Sequence, residues 1–220
     1  MPIALDFWAV LKDWPLLLHG VAWTLGLTAI AMLLGTVLGV VCAWSRAQGP
    51  AWLGWTAGAY VELIRNTPFI VPLFFVFFGL PAAGVQLSPV AASIIAMVVN
   101  LGAYATEIIR AGIEATPRGQ IEAAQSLALT QLQIFTRVVM PPALRKVWPA
   151  LVSQIIIVML GSAVCSQIST EELSYAANLI QSRNFRAFEA YIIVTLTYLA
   201  LAIVLRRLLN WAGPRFVFGH

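Results

Sequence analysis

The sequence predicts an all-α, polytopic membrane protein with five transmembrane helices. Sixty per cent of its 220 residues are hydrophobic, only 10% are charged, and the mean hydropathy is +0.87. Soluble domains carry roughly 25% charged residues. The chain also contains several uncharged stretches that could cross a bilayer core, which takes ~20 helical residues. These observations exclude a soluble enzyme and a nucleic-acid-binding domain.

The apolar stretches place five spans within a single domain of residues 1–220. Ser88 and Pro89 predict the start of the third span, because serine is a good N-cap and proline fits the first helical turn. Pro68 and Pro72 interrupt the second span, so its start is left open. The predicted spans are residues 20–44, 56–80, 89–109, 150–168 and 188–205.

The distribution of basic residues predicts the orientation of the chain. Arg206 and Arg207 follow the last span. If that end is cytoplasmic, ten Lys and Arg residues lie inside and three outside, as the positive-inside rule favours. An odd number of spans puts the termini on opposite faces. We therefore expect an external N-terminus and a cytoplasmic C-terminus.

One polar segment, about residues 110–148, is longer than a connection requires. Thr116 and Pro117 predict the start of a first short helix. Thr130 and Gln133 have capping-box spacing for a second, which we expect to end near Met140, before two prolines. Two amphipathic helices of this kind form either a docking surface or an interfacial pair that lies on lipid.

Motifs in this loop carry a family resemblance. Glu122-Ala123-Ala124, followed by Val139-Met140-Pro141, resembles the "EAA" loop in the membrane subunits of binding-protein-dependent ABC importers. The resemblance covers about residues 15–215 and is strongest to the polar amino acid branch, the histidine/glutamine/arginine permease type. That branch is matched at Glu62-Leu63-Ile64-Arg65-Asn66-Thr67-Pro68, Glu107-x-x-Arg110-x-Gly112, Gly119-Gln120 and Glu172-Leu173.

Two positions depart from the family pattern. The glycine a few residues after "EAA" is Ala128 here. The charged residues that the family carries within the fourth span are replaced by Leu160-Gly161. Because the second departure falls where substrate could pass, it bears on the class of substrate and leaves the fold unaffected.

The resemblance implies a type I ABC importer transmembrane-domain fold in a bacterial inner membrane. It implies cytoplasmic ATPase subunits, a second permease subunit, an external solute-binding protein and a polar amino acid substrate. The chain has no G-x-x-x-x-G-K-[ST] phosphate loop. We therefore expect no enzyme activity, cofactor or metal on this chain, with ATP and Mg bound by the partner ATPase. The expected coupling residues are Gly119, Glu122, Ala123, Ala124, Ala128 and Pro141.

Polar residues within the spans predict a translocation path, because polar side chains in lipid usually face protein or water. The third span carries Asn100, Tyr104 and Glu107 on one helical face, and the fourth carries Gln154 and Ser162. The alternative for each residue is a hydrogen bond between helices. For Glu107 it is a local ion pair with Arg110.

Glu62 and Arg65 stand next to the proline break and are spaced as i and i+3. They form either a gate or substrate contact, or a structural ion pair at the interface.

Two other classes of function compete with an importer subunit. An autonomous secondary transporter or channel would leave the EAA-like loop unexplained. An intramembrane enzyme needs a catalytic constellation within the spans, yet no predicted span contains a histidine or an aspartate. The sequence favours the channel-forming subunit of an ATP-driven importer and leaves the particular amino acid open.

Overall fold

The computed structural model describes residues 5–217, and that part of the chain is helical without a strand. It contains four helical segments that are long and apolar enough to cross a membrane: Trp14–Gln48, Pro89–Glu114, Gln131–Ile168 and Ala187–Arg215. A fifth candidate is a pair, Ala51–Arg65 and Ile70–Ala82, which bends by 103° at the break between them. With the bent pair as one span, the predicted all-α membrane architecture is confirmed.

The helices are labelled in chain order. They are α1 (Trp8–Leu11), α2 (Trp14–Gln48), α3 (Ala51–Arg65), α4 (Ile70–Phe74), α5 (Leu80–Ala82), α6 (Pro89–Glu114), α7 (Arg118–Ser126), α8 (Gln131–Gln133), α9 (Met140–Gly161), α10 (Leu173–Asn184) and α11 (Ala187–Ala212). The segments Phe75–Gly79, Ile134–Val139 and Gly213–Val217 are π-helical, and Ser162–Ile168 is a 3-10 helix.

Helix α6 lies at the centre of the bundle. It packs against α2, α3 and α9. Of an apolar stretch of 18 residues in α6, 61% is buried, compared with 17% for the segment that contains α11. Met97 and Leu101 of α6 are fully buried in a core that also contains Leu27 and Ile155. A polar side chain on α6 therefore faces protein or a cavity rather than lipid.

Small residues bring α2 close to α6. A Cβ atom built at Gly35 would lie 2.9 Å from Leu101 Cβ, and one at Gly39 would lie 2.6 Å from Ala105 Cβ. These distances are too short for real carbon contacts, so only glycine allows this approach of the two helices. Small residues are used in this way at helix contacts in membranes.

Gly39→Leu should lower the melting temperature of the purified protein, because overpacking a helix contact costs about 1–3 kcal/mol. Gly26→Leu is the matched control on the same helix, since a Cβ atom at Gly26 has no neighbour within 4 Å. Thermal unfolding of both variants in nanodiscs, followed by intrinsic fluorescence, checks this. Equal melting temperatures would contradict the close α2–α6 contact.

Local capping signals in the sequence are confirmed at two helix starts. The Ser88 side chain accepts a hydrogen bond from the Ala91 amide at 3.2 Å, as predicted for the start of α6. Thr130 and Gln133 form both hydrogen bonds of the predicted capping box. The first loop helix, α7, has Pro117 rather than Thr116 at its N-cap position.

The prediction that Pro141-Pro142 ends the second loop helix is wrong. The π-helical turn Ile134–Val139 interrupts the regular hydrogen-bond pattern just before these prolines, and proline then occupies the first turn of α9. Proline is tolerated there, because amide groups of a first turn need no partner within the helix. The helix runs on from Gln131 to Ile168 over 38 residues.

The sequence Ser169-Thr170-Glu171-Glu172 has the spacing of a capping box, but Ser169 does not cap α10. Ser169 ends the 3-10 segment with a left-handed φ of 63°, and Glu172 is the N-cap of α10. The Glu172 carboxylate accepts hydrogen bonds from the Tyr175 amide, at 2.9 Å, and from the Tyr198 hydroxyl. Burial raises the pKa of Glu172 above its ordinary value. This cap fixes α10 against α2, where the Leu173 amide donates to Thr24 Oγ1.

Candidate functional site

A cavity of about 350 Å³ opens beside α6, between the bent pair and α9. The break between α3 and α4 supplies one wall. Helix α6 contributes two side chains one turn apart, and α9 contributes four positions on one helical face. The lining residues are Thr67, Pro68, Phe69, Asn100, Tyr104, Gln154, Ile157, Val158 and Gly161.

The structure brings together three of the five residues predicted to line a path, namely Asn100, Tyr104 and Gln154. Asn100 and Gln154 are each only 9% exposed. Within the described residues neither amide side chain makes a hydrogen bond to protein. No fully buried side-chain nitrogen or oxygen of the described residues lacks a partner, so the polar atoms of these two amides are accessible from the cavity, where a bound molecule or water can bind them. Each offers two donors and one acceptor oxygen.

Ser162 lies outside this cavity. It is fully buried, and its hydroxyl donates to the Met159 carbonyl at 2.7 Å. Eight helical residues turn the chain through about 80° beyond two full turns, so Ser162 does not share the face of Gln154. Gly161, which precedes it, lies on that face and lines the cavity.

Glu107 is held by arginines at the far end of α6. It pairs with Arg46 of α2 and with Arg110, whose Nη2 lies 2.9 Å from Glu107 Oε2. Arg110 also pairs with Glu114. The local pairing with Arg110, one of the two interpretations of Glu107, is confirmed. The contact with Arg46 joins the ends of α2 and α6, 61 residues apart in sequence.

Glu62 and Arg65 contact other groups rather than each other. The Glu62 carboxylate accepts a hydrogen bond from Asn66 Nδ2 at 3.0 Å. The Arg65 guanidinium lies over the Tyr104 ring, with 5.5 Å from its carbon to the ring centroid. Within the described residues Arg65 forms no ion pair with a carboxylate. Arg65 is exposed, and it contacts Tyr104, a residue that lines the cavity.

The predicted coupling residues form a surface on α7 and the turn that follows. Gly119, Glu122, Ala123 and Ala128 are exposed, whereas Ala124 is buried against the bundle. Leu127 and Leu132 add apolar area, with 76% and 68% of their surface exposed. Pro141, at the first turn of α9, is half-buried. A loop that exposes both a carboxylate and two leucines suits docking to a protein groove.

Ala128 adopts a left-handed conformation, with φ of 55°. The Leu129 amide donates to the Ala124 carbonyl and the Ala128 amide to the Gln125 carbonyl. This is a Schellman motif, in which the left-handed position usually holds glycine. The geometry explains why the resembling family has glycine where this chain has alanine.

Ala128→Gly should raise the melting temperature of the protein, because a left-handed non-glycine residue costs about 1–2 kcal/mol. Ala123→Gly is the matched control, since glycine within an exposed helix costs about 1 kcal/mol relative to alanine. The two variants should therefore shift thermal unfolding in opposite directions. A shift of the same sign for both would contradict the left-handed turn.

Sequence reasoning missed the cavity residues Thr67, Phe69, Ile157 and Val158. The two prolines of the segment signalled that the chain is interrupted there, but not that the break folds against α6. Phe69 and Ile157 are apolar, so nothing in their type separates a cavity wall from a lipid-facing position. Only the packing of three helices identifies them.

Comparison with known proteins identifies the family of this chain. The family described as "Binding-protein-dependent transport system inner membrane component" matches residues 35–218. The chain is 36% identical over 204 residues to the L-cystine transport system permease protein TcyB of Bacillus subtilis (strain 168), covering 89% of this chain and 87% of that protein. It is 31% identical to the glutamine transport system permease protein GlnP of Escherichia coli (strain K12), covering 93% and 94%.

Solved structures resemble the fold over nearly its full length. A crystal structure of an amino acid ABC transporter with histidines matches with a TM-score of 0.86 and 34% identity, covering 95% of this chain and 98% of that chain. An inward-facing structure of the MetNI methionine ABC transporter matches with a TM-score of 0.72 and 25% identity, covering 92% and 94%. The predicted ABC importer transmembrane fold is confirmed.

Proposed function

Because the chain belongs to the family of binding-protein-dependent transport system inner membrane components, we propose that it is the channel-forming subunit of an ATP-driven importer for a polar amino acid. The observation that carries this proposal is the cavity beside α6. Two buried amides without protein partners and one tyrosine converge there. Amides can bind the ammonium and carboxylate groups of an amino acid. Asn100, Tyr104 and Gln154 are the substrate contacts on this chain.

Energy comes from a separate subunit. Cytoplasmic ATPase subunits bind ATP and Mg, and this chain contacts them through the surface around Glu122. An external solute-binding protein delivers the amino acid, and a second permease subunit completes the pathway. The relatives, which are named as permease proteins of transport systems, and the MetNI structure, which is named as an ABC transporter, support this assembly.

The test is co-expression of the chain with an ATPase subunit and a solute-binding protein of the same importer class. The tagged chain should retain the ATPase in detergent. Proteoliposomes should accumulate a tritiated amino acid only when ATP is enclosed in the vesicle lumen, which corresponds to the cytoplasm. Accumulation without ATP would favour an autonomous transporter. Failure of both retention and uptake would reject the proposal.

The C-terminus should lie in the cytoplasm and the N-terminus outside, from the excess of Lys and Arg on one side. Alkaline phosphatase fused to the N-terminal end should be active, and green fluorescent protein fused to the C-terminal end should fluoresce. A fusion after residue 128, in the loop that holds Glu122, is the internal control and should report the same side as the C-terminus. Termini on one face would contradict five crossings.

A further inference from the structure

We propose that the cavity beside α6 selects amino acids with an uncharged side chain, and that Arg65 binds their α-carboxylate. The proposal rests on the proposed function and deepens it by naming the substrate class. Its first support is the charge of the cavity. None of the nine residues that line it is acidic or basic, although every amino acid substrate carries an ammonium group and a carboxylate group.

The second support is the position of Arg65. Its guanidinium lies over the ring of Tyr104, which lines the cavity. The nearby Glu62 is engaged by Asn66, and within the described residues no carboxylate neutralises Arg65. A guanidinium binds a carboxylate through two parallel hydrogen bonds. Arg65 is therefore an exposed cation in contact with a cavity residue, and it can bind the anionic group of an amino acid.

The ammonium group of the substrate finds acceptors in the amide oxygens of Asn100 and Gln154. These amides have no protein partner in the described part of the chain. With the carboxylate on Arg65 and the ammonium on the amides, both charges of a zwitterion are bound. The remaining walls, Phe69, Ile157 and Val158, are apolar and suit a side chain without charge.

A second positive charge on the substrate has no partner in this cavity. Moving a charge out of water without a counter-ion is costly, and Arg65 adds repulsion. Such rejection by a missing partner is a recognised source of specificity. Arginine and lysine should therefore bind more weakly than uncharged amino acids.

Gly161 is the position at which this selectivity can be changed. It lines the cavity, and a Cβ atom built there has no neighbour within 4 Å. A side chain at residue 161 thus extends into open space rather than into the bundle. Gly161→Glu places a carboxylate where a cationic side chain would lie, and Gly161→Gln is the neutral control of the same size.

The experiment measures binding to the purified permease–ATPase complex without the solute-binding protein, so that the permease alone sets the preference. The probes are tritiated glutamine, serine and methionine (uncharged), arginine and lysine (cationic), and glutamate (anionic). Wild type should prefer at least one uncharged amino acid over arginine by about 10-fold to 150-fold, the range for a hydrogen bond to a charged group. Gly161→Glu should reverse the preference and Gly161→Gln should keep it.

The role of Arg65 is tested with the bound amino acid and its carboxamide, which lacks the α-carboxylate. Arg65→Gln should weaken binding of the amino acid by about 10-fold to 150-fold and remove the discrimination against the carboxamide. Arg65→Lys should retain part of both. A purely structural role would lower the binding of both compounds equally and would overturn the assignment of Arg65.

The outcomes separate the two proposals. Equal binding of arginine and the uncharged amino acids, or an unchanged preference in Gly161→Glu, overturns the selectivity while the transport function stands. Absence of binding for every amino acid tested, together with no stimulation of the ATPase, rejects the transport function itself.

Discussion

Glu122→Lys is expected to release the ATPase from the permease complex, or to uncouple hydrolysis from uptake, while the permease still inserts. Glu122 is exposed on α7, and Leu127 and Leu132, which follow it along the chain, are exposed as well. In a partner groove the carboxylate would be partly desolvated, where losing one member of an ion pair costs about 3–5 kcal/mol. On an open surface the same pair is worth about 0–1 kcal/mol.

Retention of the ATPase on the tagged permease, compared with wild type, measures this effect. Glu171→Lys is the matched charge reversal, because Glu171 is an exposed glutamate outside the loop, before α10. It should leave the ATPase bound. If α7 instead lay on lipid, Glu122→Lys would slightly strengthen membrane binding and leave ATPase recovery unchanged, which would contradict the docking surface.

Asn100→Ala and Gln154→Ala should each reduce substrate-stimulated transport by roughly 5-fold to 150-fold, with the complex intact. Each change removes a buried amide that faces the cavity, and losing a hydrogen-bond partner of a polar ligand costs about 1–3 kcal/mol. The initial rate of tritiated amino acid uptake into proteoliposomes is the measurement.

The control for the cavity variants is Ser153→Ala. Ser153 neighbours Gln154 on α9, but it is exposed and its hydroxyl bonds only to the Pro149 carbonyl. Transport by this variant should match wild type. Unchanged transport in both Asn100→Ala and Gln154→Ala would reject the cavity as the substrate path.

Features that depend on a few neighbouring residues were predictable. The cap at Ser88 and the capping box at Thr130 need only residues three positions away, and both are present. The shared face of Asn100 and Tyr104 follows from helical periodicity. The prediction failed where one local signal was outweighed by another. Pro141 was expected to end a helix, but after the π-helical turn it occupies the first turn of α9.

Features that depend on distant residues were not predictable from the sequence. Arg46 pairs with Glu107, which is 61 residues away in sequence, and no motif in either segment predicts this pairing. The separation of Glu62 from Arg65 depends on Tyr104 and Asn66 offering other contacts. The left-handed turn at Ala128 was signalled only by the glycine of the resembling family, because alanine carries no preference for that conformation.

The continuous helical segment from Gln131 to Ile168 ties the exposed loop at Leu132 to the cavity at Gln154 in angle as well as in distance. Its α-helical part, Met140–Gly161, has 22 residues and spans about 33 Å at 1.5 Å per residue. Each residue also turns the chain by about 100°, so one residue added between Leu132 and Gln154 would rotate the amide out of the cavity while the loop stayed in place. Substitutions that keep the segment helical leave this angular relation unchanged, whereas an inserted or deleted residue breaks it.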